Sequence, residues 1–222
     1  QSQVYGPPDG YERIKDVVIA DFNGDGRSDV GNSVFIDTLA VDEDIVRLQL
    51  GGSTLGAEIK SPISAASMVA GDFTGDEKTD LAVVSSDLSS LRLYPGNGDS
   101  TFGDSVFSSS GFDYFYDLAT SDVNGDGRLD LVANKLLINR GGYGVATYLG
   151  NGDGTFQLPY FEPTDSYSSS LVTADFDQNG LPDVFLTGLF LNLPVPVTIS
   201  SSNVAENLPV DTVVGTLSTA HL

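Results

Sequence analysis

The chain has 222 residues, 31 acidic against 10 basic side chains for a formal charge of −21, and 40% hydrophobic residues with 9 Tyr and 12 Phe. That apolar content is enough to build a core, so the acidity belongs to a folded surface and not to a disordered tail, and it argues against nucleic acid or an anionic membrane as a partner. The chain has no cysteine, which removes disulfides and thiol chemistry, and its one histidine, His221, stands next to the C-terminus, which leaves no triad and no zinc-hydrolase site.

In chain order, the apolar run 17–20 leads into an acidic loop, Asp21-Phe-Asn23-Gly-Asp25-Gly26-Arg27-Ser-Asp29, and Val30 resumes the apolar pattern beyond it. Another apolar run, 46–50, ends in Gly51-Gly52. The second unit repeats this order: run 68–70, loop Asp72-Phe-Thr74-Gly-Asp76-Glu77-Lys78-Thr-Asp80, runs 81–84 and 91–94, then a turn at 96–99. The third has run 118–119, loop Asp122-Val-Asn124-Gly-Asp126-Gly127-Arg128-Leu-Asp130, runs 131–133 and 145–149, and a turn at 150–154. The fourth has run 171–174, loop Asp175-Phe-Asp177-Gln-Asn179-Gly180-Leu181-Pro-Asp183 and run 184–186.

The apolar runs are too short for helices and rich in β-branched residues, so they read as strands joined by the acidic loops. Asn-Gly and Asp-Gly pairs supply the positive φ of tight hairpins, and Phe102 and Phe156, just past those turns, are expected to begin the next strand. The unit recurs about every fifty residues with about four antiparallel strands, the size and content of a β-propeller blade. The fold class is all-β.

The last thirty residues differ. Past Pro194-Val-Pro196 no acidic loop occurs, and the text alternates like one or two strands. The expected division is a repeat module over 1–192 and a linker with one or two strands over 193–222. The uncharged stretch 184–199 is interrupted by Gly188, Pro194 and Pro196, so it reads as strands and turns, not as a membrane helix. The start at Gln1 without Met suits a processed, exported protein and equally a chain trimmed at its start.

Side-chain oxygens fall at loop positions 1, 3, 5 and 9 in all four copies: Asp21, Asn23, Asp25 and Asp29; Asp72, Thr74, Asp76 and Asp80; Asp122, Asn124, Asp126 and Asp130; Asp175, Asp177, Asn179 and Asp183. Hard oxygen donors on a tight turn are what Ca²⁺ requires. The backbone carbonyl at position 7 (Arg27, Lys78, Arg128, Leu181) adds a fifth ligand group. An EF-hand would place a bidentate Glu at position 12; here that position holds Asn32, Val83, Ala133 and Leu186. Asp at position 9 therefore takes the closing role. Position 6 favours Gly, and Glu77 breaks the pattern at a cost of about 1 kcal/mol, which makes 72–80 the weakest of up to four calcium sites. At ten times its dissociation constant each ion adds about 1.4 kcal/mol, and four add about 5–6. That is the scale of a domain's whole net stability, so the ions are expected to be structural and not catalytic.

These loops, a strand on each side, and the Gly150-Asn-Gly-Asp-Gly-Thr-Phe156 turn resemble the FG-GAP/VCBS repeats of integrin-α-type β-propellers over about residues 10–192. Loops 1 and 3 match without exception. Loop 2 departs at Thr74 and Glu77, and loop 4 exchanges Asp and Asn at positions 3 and 5. The resemblance implies blades with calcium loops on one face, on secreted or cell-surface proteins that serve adhesion and recognition. The tail Asn203–Leu217, with its Val204-Ala-Glu-Asn-Leu-Pro-Val210 stretch, resembles the opening of a cadherin-like domain. Integrin-type propellers have seven blades and this chain supplies about four. A closed four-bladed ring is the expected arrangement; the alternative is an open array that pairs with neighbouring chains through blade edges or the C-terminal strand.

The aromatic residues Phe112, Tyr114, Phe115 and Tyr116, with Tyr160, Phe161 and Tyr167, are expected to pack between blades, the competing reading being a sugar-binding surface. The serine-rich stretches at 85–90, 108–110 and 166–170 read as solvated loops. Together these features point to a non-enzymatic, calcium-stabilised extracellular adhesion or interaction module, or a structural subunit of a surface assembly or filament. Its partner would be a protein or glycan at a cell surface, with no nucleic acid and no membrane insertion. The alternatives are a carbohydrate-binding lectin and an accessory domain of an extracellular polysaccharide-degrading enzyme.

Overall fold

Short β-branched runs separated by glycine turns bury their apolar faces only by pairing, and in this chain they pair in sequence order. The computed structural model describes residues 11–37, 42–51, 58–111, 113–138, 142–164, 168, 170–186, 189–191, 198–199 and 217–218. The first sheet is the meander β1 (Tyr11–Ala20), β2 (Asp29–Asp37), β3 (Asp42–Gln49) and β4 (Glu58–Ser61). The second is β5 (Ser67–Gly71), β6 (Asp80–Val84), β7 (Ser90–Tyr94) and β8 (Phe107–Ser110). The third is β9 (Tyr114–Ser121), β10 (Asp130–Leu137), β11 (Gly142–Tyr148) and β12 (Tyr160–Thr164). A fourth holds β13 (Leu171–Ala174), β14 (Asp183–Leu186) and β15 (Leu189–Leu191).

Every pairing is antiparallel, and no helix occurs among the described residues. None is therefore long and apolar enough to cross a membrane. The architecture is a propeller-type repeat of blades, as the sequence predicts. One register recurs throughout: Ala20 pairs with Asp29, Gly71 with Asp80, Ser121 with Asp130 and Ala174 with Asp183. Each acidic loop thus projects from the same end of its blade, closed by its position-9 aspartate.

Strand alternation gives every blade two apolar faces, and successive blades stack through them. Val46 and Leu48 of the first blade meet Met68, Leu81 and Val83 of the second. The opposite face of the second, with Leu91 and Leu93, meets Phe115, Leu131 and Tyr148 of the third. Val132 and Val145 on the far side of the third meet Leu171, Val184 and Leu186 of the fourth. The first strands β1, β5, β9 and β13 lie against one another in that order. Truncating a buried Leu in such an interface to Ala costs about 2–5 kcal/mol, so these three interfaces carry the fold.

The expected closed ring is not what the strands form. Among the described residues β13 makes no comparable packing against β1, and the faces that would have to meet are open: Ile19 is 66% exposed and Val172 47%. Among the described residues the four blades stack in series, and the outer faces of the first and the fourth are exposed.

A second expectation also fails. Phe102 and Phe156 do not begin the fourth strands; each makes a single bridge back to the turn glycine, Gly96 or Gly150, and β8 and β12 start four or five residues later. Their rings are needed elsewhere, as packing against the preceding blade. Phe22 meets Phe102 edge-on at 6.0 Å, and Phe73 meets Phe156 at 6.2 Å.

The aromatic cluster divides. Phe115 is buried between blades, as the packing reading requires, whereas Tyr114 and Tyr160 are exposed; Phe112 and Tyr167 lie outside the described residues. In the tail, β16 (Thr198–Ile199) pairs with β17 (Leu217–Ser218). The Pro194-Val-Pro196 boundary and the cadherin-like stretch 204–210 lie outside the described residues.

Candidate metal centres in the acidic loops

The loop backbone explains which residues occur where. Position 6 adopts φ of +78° at Gly26, +83° at Gly127 and +92° at Gly180, with Glu77 forced into the same region at +63°. Position 4 shares this conformation: Gly24, Gly75 and Gly125 lie between +72° and +74°, and Gln178 at +61°. The sequence reading identifies position 6 and misses position 4, although the Gly-Gly-Gly-Gln series there carries the same signal. Loop 4 therefore has the kind of backbone strain that singles out loop 2.

Two left-handed residues curl the chain around the position-1 carboxylate. Asp21 accepts the amides of Gly24 at 2.8 Å, Asp25 at 3.2 Å and Gly26 at 2.7 Å. Asp72 takes those of Gly75 at 2.6 Å and Glu77 at 2.9 Å, Asp122 that of Gly127 at 2.7 Å, and Asp175 that of Gly180 at 2.9 Å. Although desolvation opposes it, these amides hold the Asp21 carboxyl below its ordinary value.

Positions 3 and 5 form successive Asx turns. Asn23 accepts the amide of Asp25 and Asp25 that of Arg27, both at 2.9 Å; Asn124 and Asp126 repeat the pair at the same distance. In loop 4 Asp177 accepts from Asn179 at 3.0 Å and Asn179 from Leu181 at 2.8 Å. Loop 2 differs. Thr74 donates its hydroxyl to Asp76 at 3.2 Å, and Asp76 accepts both the amide of Lys78 at 3.1 Å and its ammonium at 3.0 Å. The position-7 residues are thus seen through their amides, which donate to position 5 in every loop.

Position 9 has a role that the sequence does not announce. The buried carboxylates Asp29, Asp80, Asp130 and Asp183 accept the position-2 amides of Phe22, Phe73, Val123 and Phe176 at 2.9–3.0 Å. The other oxygen of Asp29, Asp80 and Asp130 accepts the first amide of the third-strand turn, Gly51, Gly96 or Gly150. A side chain at Gly96 would lie 2.0 Å from the Thr79 carbonyl and at Gly150 2.2 Å from that of Leu129, so only glycine lets this clamp close. Position 9 is a structural latch whatever else it does; in loops 2 and 4 the oxygen that takes the position-2 amide also takes that of position 3, Thr74 at 3.0 Å and Asp177 at 3.3 Å.

The donor set fits a hard divalent cation on two observations. In loop 4 the carboxylates of Asp175, Asp177 and Asp183 all converge within 4.8 Å, the one such group among the described residues. In loop 3 burial pushes the Asp130 carboxyl up to about 6, against the lowering by the Gly150 and Val123 amides, and the charges of Asp126 and Asp122 push the same way. Burial also raises Asp80. Carboxylates that crowd and repel one another are the electrostatic condition that a bound cation relieves. No basic side chain sits in loop 4; in loop 3 Arg128 approaches Asp126 only to 4.0 Å.

Away from the loops, a cleft of about 610 Å³ opens where the second blade meets the segment that follows the first. Its wall carries the hydroxyls of Ser64, Ser85, Ser86 and Ser89 together with Arg92 and Tyr94. The serine stretch 85–90 is thus an ordered turn, in which Asp87 accepts from both Ser85 and Ser89 and is held down to about 2 by these bonds.

Comparison with known proteins supports the repeat assignment. The FG-GAP-like repeat model matches residues 56–133 and 135–186, more than half of the chain. Among solved structures, a chain of the Photorhabdus luminescens Tc holotoxin pore matches with 14% identity and a TM-score of 0.40; the match covers 83% of this chain and 11% of that one. No curated protein matches.

Proposed function

Because the chain belongs to the FG-GAP-like repeat family, we propose that it is a calcium-stabilised extracellular interaction module without catalytic activity. The observation that carries the reading is one loop geometry built four times, in which amides fix positions 1 and 9 while oxygens at positions 3 and 5 face the same turn. Asp21, Asn23, Asp25 and Asp29, with the Arg27 carbonyl, would hold one ion. Asp122, Asn124, Asp126 and Asp130 with Arg128, and Asp175, Asp177, Asn179 and Asp183 with Leu181, would hold two more. Asp72, Thr74, Asp76 and Asp80 with Lys78 make a weaker fourth site, because Lys78 already neutralises Asp76.

A bound cation supplies charge neutralisation and cross-linking to such a loop. The residues of the chain do the rest: position 1 winds the loop, position 9 latches it to its own blade, and position 2 plugs the next interface. On this reading residues 1–192 are the repeat module, 193–222 lead toward a cadherin-like strand, and the protein is secreted or displayed at a cell surface. Its partner there is a protein or a glycan, with self-association through its blade ends or C-terminal strand as a further route.

The serine-lined cleft with Arg92 and Tyr94 favours a second reading, a carbohydrate-binding lectin, since hydroxyls, a guanidinium and an aromatic ring are what a sugar surface presents. A glycan array distinguishes the two: saturable binding to one glycan class that Arg92→Ala abolishes supports the lectin, and a blank array removes it. Thermal unfolding with calcium and after stripping by chelator tests the metal reading. It requires a lower midpoint without calcium that calcium, and not sodium, restores; an unchanged midpoint refutes it.

A further inference from the structure

The three interfaces between blades are built from one repeated set of contacts, and the two ends of the chain each present half of that set. Five residues before each acidic loop an oxygen acceptor receives an amide from the next blade: Asp16 from Met68 at 2.7 Å, Ser67 from Leu118 at 3.2 Å and Asp117 from Leu171 at 2.9 Å. In the fourth blade Ser170 holds this place, exposed at the open end. The matching amide on the first blade, that of Val17, bonds locally to Asp16 at 2.8 Å, as that of Leu118 also does to Asp117.

The apolar contacts follow the same rule. The position-2 side chain is sealed in each internal interface: Phe22 and Phe73 are 2% exposed and Val123 5%. Phe176, the fourth, is 49% exposed and leans on Phe185, which is itself open on the same blade. At the other end, the places of the buried Met68 and Leu118 are taken by Val17, and Ile19 stands next to it on the same face, both more than half exposed. Thr79 at loop position 8 donates its hydroxyl to the Asp21 carbonyl of the preceding blade at 2.7 Å; Ser28 occupies that position in the first loop, which has no preceding blade among the described residues.

We propose that the fourth blade of one copy stacks on the first blade of a second copy, repeating the internal interface, so that Val172, Phe176 and Phe185 cover Val17 and Ile19 and Ser170 receives the Val17 amide. The occupant is a second copy because both halves of the contact set are on this one chain and continue an interface it already makes three times. Two such chains joined at both ends have eight blades, within the four to eight that close a propeller; a contact between unlike surfaces of this kind closes a ring or extends a filament according to its rotation. This differs from pairing through strand edges or the tail, because blade faces, not backbone edges, make the joint. The inference rests on reading the chain as an interaction module and does not depend on which ion fills the loops.

The test is a mixing experiment with the full chain, followed by sedimentation and light scattering in calcium. Wild type associates with rising concentration to at least twice its 23.3 kDa. Ile19→Arg blocks one end and Val172→Arg the other; both sites are exposed, so each variant keeps the wild-type unfolding midpoint and is monomeric alone. Mixed together, each variant supplies the end the other lacks and a 1:1 dimer forms. Leu158→Arg, at a site 91% exposed between β11 and β12 of the third blade, leaves association unchanged. Wild type that stays monomeric at millimolar concentration, end variants that still associate, or a mixture that stays monomeric overturns the proposal. The unfolding midpoint with and without calcium is read on the same samples, so loss of association with an intact calcium response counts against this inference alone.

Discussion

Loops 2 and 3 have the same length, the same register and the same latch, yet they treat charge differently. In both, position 1 collects the amides of the turn and the buried position-9 carboxylate joins the loop to the third strand. In loop 3, Asp126 and Asp122 repel Asp130; in loop 2, Lys78 pairs with Asp76, and Glu77 stands where glycine fits better. The comparison separates two jobs within one motif. Positions 1 and 9 shape the loop by hydrogen bonding, and positions 3 and 5 set how strongly it attracts a cation.

The largest effect that tests this division is removal of the ions altogether. With about 5–6 kcal/mol from four sites and about 2–4 °C per kcal/mol for a chain of this size, chelation lowers the unfolding midpoint by about 10–20 °C. Scanning calorimetry in calcium and in excess chelator measures it, and a shift near zero would erase the distinction between the two jobs.

Next comes the latch. Asp130→Ala strands two buried amides, those of Val123 and Gly150, and costs about 2–4 kcal/mol, with or without calcium. Asp126→Ala leaves no buried group unsatisfied; its cost, about 1.4 kcal/mol in calcium, disappears in chelator. Denaturant melts of both variants in both buffers check this pattern, and an equal loss for the two in chelator contradicts it. Asp76→Ala costs less than Asp126→Ala in calcium, because its loop is the poorer site.

Much of this was legible from residue spacing. The register of all four loops followed from where the apolar runs stopped and restarted, and position 6 followed from glycine. The latch at position 9 was not, because its partners, Gly51, Gly96 and Gly150, lie about twenty residues away and a buried carboxylate looks in sequence like any ligand. The fates of Phe102 and Phe156 were hidden for a similar reason: a Phe after a turn fits a strand equally well, and only stacking of the blades directs the ring backwards. The open ends stood in the sequence only as the alternative to a ring, since Val17 and Met68 are equivalent in pattern and differ in whether a described blade packs in front of them.

Two smaller effects refine the picture. Glu77→Gly relieves a left-handed side chain and stabilises by about 1 kcal/mol, and Gln178→Gly does the same at position 4 of the fourth loop; equilibrium unfolding resolves both. The last concerns pH. Asp130 has its folded value raised to about 6 above an unfolded value near 3.9, so in ion-free protein its contribution is complete below about pH 4 and is lost as pH rises through about 6. Midpoints of stripped protein across that window should fall more steeply for wild type than for Asp130→Asn.

A crystal structure grown in millimolar calcium tests the central claim most directly. The account requires density within about 2.4 Å of Asp122, Asn124 and Asp126, with equivalent peaks in the first and fourth loops and the weakest in the second. Well-ordered loops with water alone among those oxygens would contradict it.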